Sequence, residues 1–298
     1  MTFFHGRNQL VAALLKKGSF DRSFRDFDTR TWYSVDLTKL ANLSMASFFV
    51  QSFYDAETEQ FLDRCKEVTD SVLLQLWYNC CMLILTMFMK KTCINGWLRR
   101  GSMFLFSGEQ LSLLLGVASA TPKYRAALDL GAGDGNVSLK IAALCNELYV
   151  TEASRTMRLR LAEKGFRLIG IDEWLLDVYH FDVISCLNLL DRHPRPLLLL
   201  ESIRSKALQD NSTVLLSAVL PWEQYVEFSE TQSHVPLQKL AVHGSTFEDQ
   251  VASFVDVVLK PSLFAVEKWT RLPYLCEGDM YRSFYVLDCA VFVLRPLP

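Results

Sequence analysis

The sequence predicts an α/β protein: an open, mostly parallel sheet with helices on its faces, preceded by a helical extension. Three observations carry this. From residue 127 onward, apolar runs of strand length alternate with segments of helical spacing. A glycine-dense turn, Gly131-Ala132-Gly133-Asp134-Gly135, joins the first apolar run to the first helix. An acid, Glu152, closes the second apolar run.

Residues 1–30 are mixed and charged, with Arg22, Arg25, Asp26, Asp28 and Arg30 close together, and read as a loosely attached segment. Residues 36–89 read as helices: Leu37, Leu40, Leu43, Ala46, Phe49 and Val50 fall on one face, and Phe53, Phe61, Leu62 and Val68 continue the pattern. They form either a cap over the sheet or a purely structural layer. Residues 71–89 approach spanning length and run into Lys90 and Lys91, but Gln75, Asn79 and Thr86 interrupt them. This stretch reads as a buried or partly interfacial helix, with no stable membrane span expected. The first 17 residues lack an apolar run followed by a small-residue cleavage site, so no signal peptide is expected and the predicted compartment is intracellular, cytoplasmic. Residues 95–107 form a glycine-marked turn into an aromatic run, placing a boundary near residue 100 between a helical extension (1–100) and the α/β domain (101–298). Arg100 and Ser102 read as loop residues within reach of a ligand carboxylate. Ser107, with Glu109 and Gln110 behind it, starts a helix over 110–117.

The alternation then runs in order. Strand 127–130 leads through the glycine turn to helix 137–144, and strand 148–151 ends at Glu152. Helix 154–164, strand 167–170, strand 181–186 with its continuation 187–192, helix 196–208 and strand 212–220 follow. Residues 221–246 read as an irregular insertion and 247–259 as a helix. Runs 263–271 and 283–294 close the chain as a hairpin, with 273–279 in the connecting loop.

Ligands of open α/β sheets bind at the carboxyl ends of the strands, where the turn lies. Glycine at 131 and 133 lets the main chain approach a ligand closely. The turn lacks the Gly-Lys-Ser/Thr ending of a phosphate-cradling loop. It also departs from Gly-x-Gly-x-x-Gly by one residue, with Asp134 where an anion would be repelled. Asp129 before the turn and Asp134 within it suit a ligand bearing positive charge, such as the sulfonium and ammonium of S-adenosylmethionine. Glu152 is placed to accept hydrogen bonds from ribose hydroxyls, a feature shared with NAD enzymes. Asp172, after the third strand, lies where this fold flanks an adenine. Five parallel strands and a closing hairpin, seven strands in all, match the Rossmann-like sheet of class I S-adenosylmethionine-dependent methyltransferases.

At 298 residues, half of them hydrophobic and with a net charge of −2, the chain has no long Lys/Arg run, so no nucleic-acid partner is expected. The eight cysteines include no Cys-x-x-Cys pair, and His180, His193, His234 and His243 lack metal-ligand spacing; all read as structural, and no metal is expected.

The loop leaving strand four offers Asn188 and Asp191 beside the position of the transferable methyl group. Methyl transfer is an in-line displacement that demands an oriented lone pair. A carboxylate there points to nitrogen as nucleophile: an imidazole, whose tautomer it fixes, or an amine, whose proton it helps remove. Asp191 could instead cap the helix after Pro194. Residues 272–281 gather Tyr274, Glu277, Asp279 and Tyr281, suited to a cationic or histidine-containing peptide or else to a polar hairpin tip.

Four blocks resemble the signatures of the DREV family, also called methyltransferase-like protein nine. They are Arg100-Gly101-Ser102-Met103-Phe104, residues 128–135, residues 185–192 and residues 270–280. The similarity runs from about residue 45 to the C-terminus. It implies a protein-L-histidine N-pros-methyltransferase using S-adenosylmethionine, acting on proteins with His-x-His motifs, and a location at the endoplasmic reticulum or mitochondria. It implies that Glu152, Asn188 and Tyr274 bind the cofactor and that Asp191 holds the substrate imidazole. Asp129, Gly131 and Gly133 are assigned to the methionine end of the cofactor, with Asn188 beside Asp191 at the reacting centre. Other readings of the same residues are a small-molecule amine or imidazole methyltransferase and a cofactor-binding scaffold without catalysis.

Overall fold

The computed structural model describes residues 2–40, 43–117, 123–226 and 234–298. One sheet holds the strands β1 (Met103–Phe104), β2 (Tyr124–Leu130), β3 (Cys145–Thr151), β4 (Arg167–Leu168), β5 (Val183–Leu187), β6 (Thr213–Leu220), β7 (Phe264–Glu277) and β8 (Phe284–Pro296). Their order is β1-β7-β8-β6-β5-β2-β3-β4. Pairs among β2 to β6 are parallel, whereas β8 runs antiparallel to β6 and β7 antiparallel to β8. The chain builds outward from β2 to β4, then returns to place β5 on the other side of β2. The β2/β5 boundary is therefore the topological switch point, where crossovers diverge and leave a crevice at the strand ends.

The parallel strands are apolar on both faces, as strands covered by helices on each side must be. Along β2, Ala126, Leu128 and Leu130 join one buried cluster with Leu200 and Ile203 of α9 (Pro196–Asp210) and Val251 of α10 (Phe247–Phe254). Ala127 points to a second cluster with Leu111 of α6 (Gly108–Leu115), Ile141 of α7 (Ser138–Ala142) and Leu161 of α8 (Arg155–Glu163). The helix starts follow capping chemistry. Ser107 and Gln110 form a reciprocal capping box, and Ser154 caps α8 by accepting from Met157 N–H.

Four sequence expectations are corrected. The sheet has eight strands rather than seven, because Met103–Phe104 adds to the edge of β7. β7 runs unbroken to Glu277, so 273–277 is strand and not loop; Leu272 and Leu275 stay buried and Pro273 faces Asp288 across the pair. The third strand shrinks to two residues. Residues 36–55 are not one helical face. Asp28 and Asp36 each accept from a backbone N–H two residues on, and Asp55 from one three residues on. Asp28 sets the preceding 3-10 turn Thr29–Trp32, and residues 36–55 become the 3-10 turn Leu37–Lys39, the short α2 (Leu43–Ser47) and an extended link.

The first 30 residues are also attached rather than loose. They contain α1 (Thr2–Arg25), whose Phe20 and Phe24 meet the Phe284 ring edge-on at 5.1 and 4.7 Å. Lys17 of α1 pairs with Asp21 and with Asp70 of α3 (Ala56–Asp70). Trp32, Phe61 and Leu62 share the second cluster with the sheet. The fully buried Trp269 donates its indole N–H to Met45 O at 2.7 Å. Next come α4 (Val72–Leu85) and α5 (Lys91–Leu98). Among the described residues no single helix is long and apolar enough to cross a membrane; α3 and α4 pass that test only as a pair bent by 80°. Of the insertion expected at 221–246, residues 227–233 lie outside the described residues, and Tyr225 N–H donates to Asp191 O at 2.8 Å.

Candidate active site

The glycine turn leaves β2 and the Asn188–Asp191 loop leaves β5, so both stand at the switch point. Gly131 and Gly133 take φ of +71° and +56°. A side chain at Gly131 would come within 3.0 Å of Leu189, which ties the two loops together. Glu152, buried just beyond β3, holds the turn: one carboxylate oxygen accepts from Gly133 N–H at 2.9 Å and the other from Ser154 N–H at 2.7 Å. A carboxylate oxygen accepts more than one hydrogen bond, so the same group can also serve a diol.

Asp129 sits beneath the turn rather than in it. Its oxygens accept from Ser138 Oγ at 2.5 Å and Ser185 Oγ at 2.6 Å. Burial raises its pKa to about 6 against the pull of those hydroxyls. Asp134 is likewise turned inward: it accepts from Asn136 N–H at 3.0 Å and stands 3.9 Å from Arg160. Its charge is answered by the protein, so the cation preference read from Asp134 is weaker than its position in the turn implied.

On the β5 side, Asn188 adopts φ of +50°, a left-handed conformation that asparagine tolerates. Ser217 of β6 holds it twice, accepting from Asn188 N–H at 2.8 Å and donating to its Oδ1 at 2.7 Å. Asn188 Nδ2 is buried and, among the described residues, has no acceptor in good hydrogen-bond geometry, although it lies close enough to Tyr274 to act on its hydroxyl. Asp191 lies in a 3-10 turn, Leu190–Arg192, and is 5% exposed. Burial pushes its pKa up to about 6, with the Arg192 guanidinium at 2.9 Å opposing. Tyr274 approaches from β7; burial raises its pKa well above the usual value, while Asn188 lowers it and the Asp191 charge adds to the rise. Tyr274 thus lies within electrostatic reach of Asn188 and Asp191, and its hydroxyl reaches Met103 Sδ. Met103 is also the nearest atom to a side chain built at Gly133, at 3.7 Å. Met103 therefore bridges the two halves of the site.

The remaining assigned residues scatter. Asp172 is exposed, makes no side-chain cap at the turn Glu173–Leu175, and acts electrostatically on His193, whose pKa falls through burial. Glu277 faces the loop before β1: its N–H donates to Ser102 O at 2.8 Å and its carboxylate accepts from Ser102 N–H at 3.4 Å. Asp279 accepts from Tyr281 N–H and from the Tyr285 hydroxyl, each at 2.8 Å, within the β7–β8 turn, and Tyr281 is exposed. The acids at 277 and 279 thus serve different neighbours rather than one cluster. Arg100 lies over the Tyr78 ring at 5.0 Å. Ser102 instead receives Arg64 and Asn136, at 2.9 and 2.6 Å. A cavity of about 330 Å³, lined by Phe61, Arg64, Met103, Asn136 and Lys140 among others, shares Met103 with the site but not Asn188, Asp191 or Tyr274.

Sequence reasoning missed the roles of Ser217, Met103 and Cys289, whose thiol points at Asn188 Oδ1 from 3.4 Å. Ser217 and Cys289 alternate inside apolar strands and give no local signal. Met103 stood in the Arg100–Phe104 block, but as one apolar residue in an aromatic run.

A model of the DREV methyltransferase family matches residues 32–296. The chain belongs to the DREV methyltransferase family. Solved structures similar to it include three distant ones. DhpI in complex with SAH is 14% identical, covering 80% of this chain and 97% of that one, with a TM-score of 0.39. Magnesium protoporphyrin IX methyltransferase from Synechocystis with bound SAH is 13% identical over 68% and 85%, with a TM-score of 0.39. A SAM-dependent methyltransferase from Methanosarcina mazei is 16% identical over 58% and 92%, with a TM-score of 0.37. The DREV chain's own residues fit S-adenosylmethionine. The Glu152 carboxylate, which has acceptor capacity for a diol, stands beside a turn whose Gly131 leaves no room for a Cβ against Leu189, and the buried Asn188 amide has a donor to give.

Proposed function

We propose that this DREV chain is an S-adenosylmethionine-dependent protein-histidine methyltransferase that modifies the N-pros nitrogen in His-x-His segments. One observation carries the proposal: Asp191, a nearly buried carboxylate, stands three residues after Asn188 in the loop that leaves β5 at the switch point. With a pKa of about 6, it is ionised at neutral pH but close enough to the imidazole pKa to exchange a proton.

Bound S-adenosylmethionine supplies an electrophilic methyl group on a sulfonium. Asp191 accepts the N–H of the distal (tele) ring nitrogen, which fixes the tautomer and leaves the pros nitrogen's lone pair outward. As the pros nitrogen takes the methyl, the methyl carbon–sulfur bond breaks with its electron pair passing to sulfur, which would leave as the neutral thioether of S-adenosylhomocysteine; the ring becomes cationic and Asp191 faces that charge. The tele proton then leaves through the carboxylate to solvent, giving neutral N-pros-methylhistidine. Glu152 holds the ribose, the Asn188 amide donates toward the cofactor, and Tyr274 closes the β7 side. Glu277, Asp279 and Tyr281 are assigned to the peptide around the target.

The test is methyl transfer from labelled S-adenosylmethionine to an Ala-His-Ala-His peptide, beside a Lys-for-His peptide and free histidine, with the product nitrogen read by NMR. N-pros-methylhistidine in the His peptide, made by wild type and at least about tenfold more slowly by Asp191→Asn, is expected. Transfer to free histidine but not to the peptide overturns the protein-substrate assignment. Cofactor binding with no transfer to either overturns the histidine assignment.

A further inference from the structure

Helix α4 is built inside out. Its buried face carries Gln75, Tyr78 and Cys81, with the Gln75 amide donating to Val68 O at 3.1 Å. Its outer face, continued by the turn that follows, presents Leu73 (81% exposed), Trp77 (58%), Leu83 (77%), Ile84 (56%), Met87 (70%) and Phe88 (77%). A helix on a water-facing surface shows the reverse arrangement, and scattered single apolar residues do not account for a stripe.

Charge says what covers this stripe. Between Asp70 and Glu109 the chain has no acidic residue, yet it carries Lys90 and Lys91, beside Arg99, which pairs with Glu163, and Arg100, which lies over Tyr78, in a protein whose net charge is −2. Lys90 and Lys91 are exposed at the carboxyl end of the stripe, and an exposed tryptophan, Trp97 (59%), follows on α5. Apolar and tryptophan side chains on one face, with lysines at the end and no acid, form the pattern of a helix lying in a lipid interface. At 14 residues, α4 is roughly 21 Å long, too short to span a bilayer and suited to lying in its plane.

We propose that the outer face of α4, with its following turn and Trp97, docks the protein on an anionic lipid surface. The exposed flank of α4 also touches the β7–β8 turn: Asn79 donates to Met280 Sδ at 2.6 Å, in the turn that carries Asp279 and Tyr281. Docking seats the helix that backs this turn, so the turn lies next to the membrane face.

The test is flotation of the full chain with vesicles of phosphatidylcholine alone or of phosphatidylcholine with phosphatidylserine, at low and high salt. Wild type is expected to float with the anionic vesicles and to be released by salt. The double variant Leu83→Glu/Phe88→Glu should partition roughly a hundredfold less, as two apolar anchors are lost. Lys90→Ala/Lys91→Ala should weaken partition about fivefold per lysine. All four side chains are exposed, so circular-dichroism melts should match wild type. Folded wild type that stays with no vesicle, or a glutamate variant that floats as well as wild type, overturns the proposal. So does a wild-type dimer that the glutamate variant splits, because a second copy would then cover the stripe.

Discussion

Replacing Asp191 by asparagine separates its cost to the fold from its use in catalysis. The Asp191 carboxyl is 5% exposed and displaced from 3.8 to about 6, burial being the main cause and the Arg192 guanidinium a partial offset. The shift is upward, so the folded state favours the neutral acid; that preference is fully present below pH 3.8 and lost as pH rises through about 6. At pH 8 the ionised group therefore burdens the fold by about 3 kcal/mol. Asparagine keeps the shape and removes the charge. That burden is already net of the Arg192 pair at 2.9 Å, whose arginine is half exposed, so losing the pair takes nothing further from it. Asp191→Asn should thus be about 3 kcal/mol more stable at pH 8, a midpoint higher by about 2–4 °C per kcal/mol in a thermal melt, with most of the gain gone at pH 4. The same variant should lose about 10- to 100-fold in kcat/KM on a His-x-His peptide, the value of one charge-assisted hydrogen bond. Calorimetry at the two pH values and steady-state methyl transfer measure both sides. A variant that is less stable at pH 8, or that keeps its activity, refutes the dual role of Asp191.

The wild-type rate should fall on the acid side of about pH 6, where Asp191 and the substrate imidazole both gain protons, and Asp191→Asn should show only the substrate's ionisation in a pH–rate profile. Glu152→Ala removes the acceptor of Gly133 N–H and Ser154 N–H together with the proposed ribose contact. Titration calorimetry should show cofactor affinity lower by about 10- to 100-fold. Ser217→Ala releases Asn188 from two hydrogen bonds and leaves its backbone N–H without an acceptor; cofactor binding should weaken by about fivefold and stability should fall by about 1–3 kcal/mol in a thermal melt. Gly133→Ala meets only Met103, at 3.7 Å, so its effect should come from φ at +56°, costing about 1 kcal/mol in denaturant unfolding.

The sequence by itself determined the α/β order, the glycine turn, Glu152 at a strand end and the Asn188–Asp191 loop. These rest on continuous apolar runs of strand length, glycine density and residues within a few positions of one another, which are local signals. Local caps are legible at Ser107 and Ser154, whereas those at Asp28, Asp36 and Asp55 are masked by an apolar pattern that they cut into short turns. Tertiary structure alone decided what lies between distant segments. Ser217 anchors Asn188 across β5 and β6, and Met103 joins Gly133 to Tyr274 across the β1–β7 edge. Asp134 is spent on Asn136 and Arg160, and the charged first helix docks through Phe20 and Phe24. The direction in which α4 faces was equally invisible, since its composition fits a buried helix as well as an exposed one. A hydrogen bond or ring contact between residues dozens of positions apart depends on strand order and register, and the sheet fixes both only when its strands assemble.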